Sequence, residues 1–374
     1  MSDQHAVPPH AQLIQMGAAS WVSAVVYAAA KLSVADHLAG GPKSAAELAA
    51  ATGTHAPSLH RLMRTLTGLG ILTGREGQRF ALTPLGEALK TGAPGSARST
   101  LLAFCGPAFW HSWEEIIYSL ETGRTGFEKA CGMPLFAFLS QHPEEASHFS
   151  EAMVGFHGSE PPTVAEAYDF SSIQTVVDVG GATGNMLAHI LTRYPQPRGV
   201  LYDRAHVVTE APALLRQHGV WDRVTIVPGN FFESVPTGGD AYILSHIIHD
   251  WSEEQCLTIL GNCRKAMTPE AKLLIVEFVL PEGNTPHFGK LADMIMLAIP
   301  GGEERTAAEY NRLLDDAGFR MTRVVPTGSD VSVVEAELLA DRTNVVAGVS
   351  PLRSDTHRCR IEPPGGGGFH VFLQ

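Results

Sequence analysis

The sequence predicts an α/β protein: a doubly wound parallel sheet preceded by an α-rich winged-helix module. Strand and helix patterns alternate from residue 174 onward, which is typical of a parallel sheet with helices on both faces. The segment VVDVGGATGNM (176–186) combines a β-branched apolar run, a glycine turn and the start of a helix. The first 100 residues follow the pattern helix, helix, hairpin. These three observations together predict the fold class.

The N-terminal elements follow from capping residues and apolar spacing. Residues 11–39 form an Ala-rich helical stretch that is apolar on much of its surface. Ser44 is placed to cap a second helix, which Gly53 ends. A third helix has apolar residues at helical spacing: Leu59, Leu62, Met63, Leu66 and Leu69. A short hairpin follows, and Thr83-Pro84 opens another helix as cap and first-turn proline.

A winged-helix pattern permits either a DNA-binding regulator or a dimerisation module. Few basic residues lie near the presumed recognition helix and wing: His60, Arg61, Arg64 and Arg75. A DNA reader concentrates Lys and Arg there, and the net charge of −12 gives no basic excess for nucleic acid or an anionic membrane. We therefore favour a dimerisation module. The apolar stretch WVSAVVYAAA predicts a homodimer, because exposed apolar patches mark interfaces.

Composition and length suggest a cytoplasmic globular protein of several parts. The first residues show no signal-peptide pattern, and the apolar stretch 16–30 is too short to span a bilayer. The 5 cysteines form no CxxC pair and are expected to be reduced. We expect four regions: the N-terminal module (1–100), an aromatic-rich helical linker that Pro161-Pro162 interrupts (101–165), the α/β domain (166–338) and a Pro- and Gly-rich tail extra to the fold (339–374).

Three successive strand ends carry groups suited to a nucleoside. The spacing Gly180-Gly181-x-x-Gly184 does not satisfy the dinucleotide fingerprint. Asp203 ends the next strand, about 20 residues on, where a carboxylate accepts hydrogen bonds from ribose hydroxyls. Asn230, Phe231 and Phe232 follow a third strand and offer an amide and aromatic faces to a purine. Since no Walker lysine is present, a nucleoside ligand without phosphates is indicated, which favours S-adenosylmethionine (SAM).

A catalytic group is predicted beside this pocket. The segment DAYILSHIIHDW runs from a strand into His249, whose ordinary pKa near 6.5 suits it to proton abstraction. Glu277 is expected to end the neighbouring strand and Glu304 to start a later helix, and carboxylates beside an imidazole orient it. The competing interpretation is a metal site built from His246, His249, Asp250 and Glu277. We disfavour it, because a His-x-x-His pair on an extended segment does not converge on one ion.

These motifs resemble the plant caffeic-acid and bacterial small-molecule O-methyltransferases, a SAM-dependent, metal-independent, dimeric family. The resemblance covers about residues 12–338 and rests on DVGGATGNM, LYDRAHVV, PGNFF, HIIHDWSEEQC and DMIMLAIPGGEERTAAEYNRLLDDAGF. It implies a Rossmann-like class I methyltransferase domain behind a winged-helix dimerisation domain. It also implies SAM as cofactor, no metal, and a hydroxylated aromatic small molecule as methyl acceptor.

The resemblance assigns roles to individual residues. Gly180 would contact SAM, Asp203 its ribose, and Asn230 with Phe231 its adenine. His249 would be the general base, flanked by Glu277 and Glu304. The residues that would border the acceptor are Met153, Met294, Ile295 and Ile299.

Three positions depart from the family pattern. Ala182 replaces a glycine, Asn230 an aspartate that would be the stronger acceptor, and Ser245 a lysine that plant members carry near the cofactor. We expect an O-methyltransferase acting on an aromatic or polyketide-like metabolite. Two alternatives stay open: a SAM-binding relative that carries out decarboxylation or hydroxylation, and a non-catalytic SAM- or DNA-binding regulator.

Overall fold

The computed structural model describes residues 7–93 and 95–339, which group into two compact units. One unit runs to Ser159 and includes Leu297–Gly301, and the other comprises Glu160–Met296 and the residues from Gly302 onward. The boundary expected at residue 165 differs from this division, because Val164 and Ala165 are buried in the core of the second unit. Residues 340–374, most of the expected tail, lie outside the described part of the chain.

The first unit is helical apart from a small three-stranded sheet. Its elements are α1 (Pro9–Lys31), α2 (Val34–Leu38), β1 (Lys43–Ser44), α3 (Ala45–Thr52), α4 (Ala56–Gly68), β2 (Leu72–Arg75), β3 (Arg79–Leu82), α5 (Pro84–Glu87), α6 (Arg98–Phe104), α7 (Pro107–Glu114), α8 (Ile116–Thr122), α9 (Gly126–Cys131), α10 (Leu135–Gln141) and α11 (Pro143–His157). The expected caps are confirmed: the Ser44 hydroxyl accepts from the Glu47 amide, Gly53 ends α3 with φ +67°, and the Thr83 hydroxyl accepts from the Gly86 amide. Leu48, Met63 and Leu66 are fully buried at its centre.

Helix α1 is longer than the apolar stretch that marks it in the sequence. It has 23 residues, and its length and mean hydropathy would allow it to cross a bilayer. Only 11% of its most apolar window is buried in the structure. The argument that this stretch is too short to span is therefore wrong, and length alone does not decide its role. Several of its large apolar side chains are exposed: Leu13, Ile14, Met16 and Trp21.

The second unit alternates strands and helices as predicted. Its elements are α12 (Glu160–Ala167), β4 (Thr175–Val179), α13 (Asn185–Arg193), β5 (Arg198–Asp203), α14 (Ala211–Gln217), β6 (Val224–Pro228), β7 (Ala241–Ser245), α15 (Glu253–Ala266), β8 (Lys272–Leu280), α16 (Gly289–Ala298, whose last two residues group with the first unit), β9 (Arg305–Thr306), α17 (Ala307–Asp316), β10 (Phe319–Pro326) and β11 (Val331–Leu338). Pro161 and Pro162 lie in the first turn of α12 and do not interrupt it, because no helical hydrogen bond needs their nitrogen there.

The sheet has the strand order β10-β11-β8-β7-β4-β5-β6. The five strands from β8 to β6 are parallel, whereas β10 and β11 pair antiparallel at one edge. The chain reverses its direction of progress between β4 and β7, and ligands bind at the carboxyl ends of strands beside such a switch point. The end of β4 leads into Gly180, and the end of β7 leads into His246. The topology therefore brings the glycine turn and the histidine segment to the same edge.

Alternation along β4 decides where its side chains point. Val177 and Val179 are buried in the core that contains α15 and α17, and Val176 is buried in the core on the α13 face. Each such valine contributes about 1.5–3 kcal/mol by burial. Asp178 shares a face with Val176, because successive side chains of a strand alternate. The single charge of β4 thus lies on the face of α13, the helix that starts after the glycine turn.

Candidate active site

The turn after β4 holds a left-handed backbone conformation at three positions. Gly180, Ala182 and Gly184 have φ of +77°, +49° and +80°. The φ of Gly180 favours glycine there, and a Cβ would also lie 2.4 Å from Ile247 Cδ1, so the Ile247 side chain would have to shift. Ala182, the residue that departs from the family's third glycine, adopts the left-handed conformation at a cost on the order of 1–2 kcal/mol. The turn thus stores strain at the edge where a ligand is expected.

Asp178 forms the floor of this turn. It is 1% exposed, and a Cβ at Gly181 would lie 2.5 Å from its carboxyl carbon. Neither carboxylate oxygen has a hydrogen-bond partner of ordinary geometry among the described residues. Burial and the charge of Asp203 raise the pKa of Asp178 to about 7, and the Leu187 amide opposes this. Asp178 is the one charged residue of the apolar strand β4.

Asp203 ends β5, as predicted, and ties the glycine turn to the next strand. Its carboxylate accepts hydrogen bonds from the amides of Ala182 at 3.0 Å and Arg204 at 2.6 Å. Burial raises its pKa, and these two amide donors oppose the rise. A carboxylate oxygen has room for more than one donor. Asp203 can therefore hold the turn and accept from a sugar hydroxyl at the same time.

Asn230 is bound by its own loop. Its side-chain nitrogen donates to Glu233 at 2.8 Å, and its side-chain oxygen accepts from the Phe232 amide at 3.2 Å. An aspartate here would lose its bond to Glu233 and face a like charge, so the view that it would be the better acceptor fails in this loop. The neighbouring Phe231 packs against the rings of Phe232 and Trp251. A surface depression here is lined by Arg204, Ala205, Pro228, Gly229, Asn230 and Glu233.

His249 lies in a short 3₁₀ helix, Ile248–Asp250. Strand β7 ends four residues before His249, at Ser245. Its side chain is 5% exposed, and Nδ1 is 2.8 Å from Glu304 Oε1. Nε2 is 3.7 Å from Asp250 Oδ1. Burial alone lowers the pKa of the imidazole, but the carboxylates of Glu304, Asp250 and Glu277 raise it to about 10. The expected pairing of His249 with Glu304 is present in the structure.

Glu277 is placed differently from the expectation. It lies inside β8 (Lys272–Leu280) and not at its end. Its Oε1 accepts from the amides of Ile247 at 3.0 Å and His249 at 3.1 Å, and its Oε2 accepts from the Tyr310 hydroxyl. Glu277 therefore holds the backbone of the histidine turn, whereas Glu304 holds the imidazole. Glu304 itself precedes the two-residue strand β9 and does not start a helix.

The segment Gly302–Arg305 wraps around the same turn, which the sequence did not reveal. The Glu303 amide donates to the His249 carbonyl at 2.9 Å. The Arg305 guanidinium is 2% exposed and donates to the Ile248 carbonyl at 3.4 Å. Cys256 is buried and also donates to that carbonyl, at 3.1 Å. The consecutive glycines in GGEER were the available signal, since a Cβ at Gly302 would lie 1.8 Å from the His249 carbonyl oxygen.

His246 has its own carboxylate partner. It follows β7 with φ +53°, and its Nε2 is 2.7 Å from Glu160 Oε2. Its ring centroid is 5.1 Å from that of His249. In the alternative metal site, Glu277 would have to turn an oxygen to the histidines. Both of its oxygens instead accept hydrogen bonds from the protein.

The residues expected to border the acceptor lie on separate elements. Met153 is on α11 and Ile299 follows α16, both in the first unit, whereas Met294 and Ile295 are on α16 in the second. Ile299 is 2% exposed, and the other three are partly buried. Of the aromatic residues between 104 and 156, Phe109 and Phe127 are core.

The strand order, the glycine turn and the acidic end of β5 define the class of SAM-dependent methyltransferases. Residues 113–320 match the O-methyltransferase domain family, and residues 14–92 match the O-methyltransferase dimerisation domain. The chain belongs to this family, so its N-terminal module is a dimerisation domain and SAM is its cofactor.

Three similar proteins illustrate the range of the family. Phenazine O-methyltransferase PhzM of Lysobacter antibioticus is 44% identical over 88% of this chain and 97% of its own length. Phenazine-1-carboxylate N-methyltransferase of Pseudomonas aeruginosa is 33% identical over 87% and 96%. The structure of the O-methyltransferase NcsB1 from neocarzinostatin biosynthesis, in complex with SAM and 2-hydroxy-5-methyl naphthoic acid, is 31% identical with a TM-score of 0.75, covering 85% of this chain and 96% of that one.

The residues of the turn fit the cofactor. Gly180 and Gly181 leave no side chain between the backbone and a ligand, and Asp178 beneath Gly181 is a buried carboxylate. Phosphates would be repelled by Asp178 and Asp203, whereas a nucleoside that carries positive charge is not. These features suit the sulfonium cofactor of the family.

Gly302→Ala should displace the histidine turn. The added methyl would overlap the His249 carbonyl oxygen, and a shift of about 1 Å in a reacting group costs up to 10²-fold in rate. We expect kcat for methyl transfer to fall by about that factor, with little change in SAM affinity measured by calorimetry. Gly261→Ala on α15 is the matched control, because its Cβ meets nothing within 4 Å. Equal kcat values for the two variants would show that the close contact at Gly302 does not position His249.

Proposed function

We propose that the protein is a SAM-dependent O-methyltransferase that transfers a methyl group to a hydroxyl of an aromatic or polyketide-like small molecule, with His249 as general base. The observation that carries the proposal is the buried pair of His249 and Glu304, with Nδ1 to Oε1 at 2.8 Å. Glu304 orients the imidazole through Nδ1, so Nε2 is the nitrogen that takes the proton of the acceptor hydroxyl. The carboxylate then stabilises the imidazolium.

The cofactor supplies a methyl group on a sulfonium, which needs only an aligned nucleophile. Gly180 would make the close backbone approach, Asp203 would accept from the ribose, and Asn230 with Phe231 would face the adenine. Ser245, the last residue of β7, would border the cofactor without the charge of a lysine. Holding donor and acceptor in register makes the step effectively unimolecular.

The raised pKa of His249 decides when its imidazole is free to accept a proton. With a pKa near 10, the imidazole of the protein alone is protonated at neutral pH. A bound cation lowers the pKa of a neighbouring imidazole, because like charges disfavour the protonated form. The base is therefore poised for use when the positively charged methyl donor is present.

The pair of His249 and Glu304 favours a hydroxyl acceptor over an amine. A phenol with an ordinary pKa near 10 gains nucleophilicity when a base takes its proton, whereas a neutral amine already has a lone pair. PhzM and NcsB1, named as O-methyltransferases, support an acceptor built on fused aromatic rings, and the phenazine-1-carboxylate enzyme makes N-methylation the second candidate. Met294 and Ile295, on α16 of the second unit, would offer apolar side chains suited to a flat ring.

An assay with radiolabelled SAM separates the two reactions. We expect label to be transferred to hydroxylated phenazines, naphthoic acids or other phenols, and not to analogues in which an amine or ring nitrogen replaces the hydroxyl. Mass spectrometry of the products then distinguishes an O-methyl ether from an N-methyl group. Transfer to nitrogen alone would overturn the O-methyltransferase proposal.

His249→Ala should lower turnover by about 10²–10⁴-fold, the usual contribution of a general base. Glu304→Gln should shift the acid limb of the pH–rate profile to lower pH, because the charge that raises the pKa of His249 is removed, so neutral imidazole persists further into acid. Its maximal rate should fall, since the imidazolium loses its counter-charge. Glu303→Gln is the control, because its half-exposed side chain pairs with Arg305 and not with His249. A wild-type rate and profile in His249→Ala would exclude it as the base.

We also propose a cytoplasmic homodimer formed through the dimerisation domain. Trp21 on α1 is 73% exposed, which is unusual for its size. Light scattering should give twice the chain mass at micromolar concentration, and Trp21→Glu should shift it towards the monomer. Leu120→Glu, also at an exposed apolar residue (59%) but outside residues 14–92, should stay dimeric. A monomeric wild type would refute the homodimer.

A further inference from the structure

Helix α15 carries one buried side-chain amide, that of Asn262. Asn262 is 6% exposed, and the other buried residues of the helix are apolar or carry a thiol: Cys256, Ile259, Leu260, Cys263 and Ala266. An amide removed from water costs free energy unless it forms hydrogen bonds. Its Nδ2 donates to the Phe231 carbonyl at 3.0 Å, and its Oδ1 accepts from Lys265 Nζ at 3.1 Å. The Asn262 side chain thus ties α15 to the loop that follows β6.

The hydrogen bonds within that loop leave its position open. Local bonds fold the loop on itself: the Glu233 amide donates to the Asn230 carbonyl at 2.8 Å, and the Asn230 side-chain nitrogen donates to Glu233 at 2.8 Å. Such bonds shape a loop but do not decide where it lies against the rest of a domain. The bond from Asn262 to Phe231 spans 31 residues of sequence and joins the loop to a helix. It therefore fixes the backbone of Phe231 in place.

The Phe231 ring lies beside the glycine turn. A Cβ at Gly180 would be 3.5 Å from Phe231 Cε1. The ring centroid is 5.0 Å from that of Phe232 and 6.0 Å from that of Trp251, and the ring packs against the core that contains α15. Because the ring is attached to the backbone that Asn262 holds, a displaced Phe231 carbonyl would displace the ring relative to the turn.

We propose that Asn262 is a positioning residue for the cofactor, which holds the Phe231 backbone so that the ring is in place to stack on the adenine of SAM. Asn262 acts through Phe231 and does not itself contact the cofactor. A ring that is already held in place loses less freedom when a base stacks on it, so more of the stacking free energy remains as affinity. The inference rests on the adenine position given under the proposed function.

The same helix supports the base through a different residue. Cys256 Sγ donates to the carbonyls of Ile248 at 3.1 Å and Trp251 at 3.3 Å, which flank the His249 segment. Asn262 lies further along α15, and its bond reaches the cofactor loop instead. Loss of the Asn262 amide should therefore weaken cofactor binding and leave the turn that carries His249 unchanged.

Asn262→Leu removes the donor and keeps a side chain of similar size. We expect Kd for S-adenosylhomocysteine, measured by calorimetry, to rise about five- to tenfold, the usual effect of one hydrogen bond. KM for SAM should rise by a similar factor, whereas kcat at saturating SAM should change by less than about twofold, because the bond acts on binding. Lys265→Met is the matched control, since it removes the other bond of Asn262 and leaves the one to Phe231. A lower kcat with unchanged Kd, or an equal rise in Kd in Lys265→Met, would overturn the proposal.

A double-mutant cycle tests whether Asn262 acts through Phe231. Phe231→Ala alone should weaken S-adenosylhomocysteine binding, and Asn262→Leu should add little in that background, because the ring that it positions is gone. Additive effects on Kd would show that Asn262 acts by another route and would contradict the proposal. An unchanged Kd in Phe231→Ala would also contradict it, by placing the adenine elsewhere. These titrations contain no acceptor, so their failure leaves the proposed O-methylation untouched, and the reverse also holds.

Asn262→Ser keeps the test valid if the leucine variant does not fold. Its side chain is too short to reach the Phe231 carbonyl, so it should show the same rise in KM at nearly constant kcat. Thermal melting without ligand measures the structural effect of each substitution separately. A variant that melts like the wild type and still binds S-adenosylhomocysteine more weakly supports a positioning role. Wild-type affinity in Asn262→Ser would show that the bond does not position Phe231.

Discussion

The site depends on one buried carboxylate in the middle of the sheet. Glu277 is completely buried within β8, where an unpaired charge would be very costly. Two amides of the Ile247–His249 turn and the Tyr310 hydroxyl satisfy it, and hydrogen bonds to an ion are about twice as strong as neutral ones. The turn that carries His249 is therefore fixed to a buried strand in the middle of the sheet. Glu304, Arg305 and the close contact at Gly302 complete this positioning from the other side.

Backbone strain is concentrated at the same edge. Ala182 and His246 are two of the four non-glycine residues with positive φ in the described parts of the chain, and they lie in the segments that follow β4 and β7, the strands that flank the switch point. Such conformations persist only where surrounding contacts impose them. Here those contacts are the bond from the Ala182 amide to Asp203 and the bond from the His246 amide to Val276. The strain follows from bringing the glycine turn and the histidine segment together.

Local pattern predicts most of the fold but only part of the site. Apolar runs identify the strands from β4 to β8, and Ser44, Gly53 and Thr83 mark helix ends, because these signals depend on neighbours in sequence. The role of Glu277 depends on Tyr310 and on amides about 30 residues away, which no local pattern reveals. The bond between Asn230 and Glu233 is local, at i to i+3 spacing. Helix α1 is longer than its apolar stretch, because polar residues before that stretch continue the helix.

The two halves of the site differ in how complete they are without ligand. At the base, each acidic group has a partner within the second unit: Glu277 holds backbone amides and Glu304 holds the imidazole. At the cofactor turn, Asp203 accepts from the Ala182 and Arg204 amides, whereas only the Leu187 amide acts on the buried Asp178. A catalytic group needs a fixed geometry before reaction. The firmly held base and the sparsely bonded Asp178 therefore differ in how the protein holds them, although both lie at the same edge of the sheet.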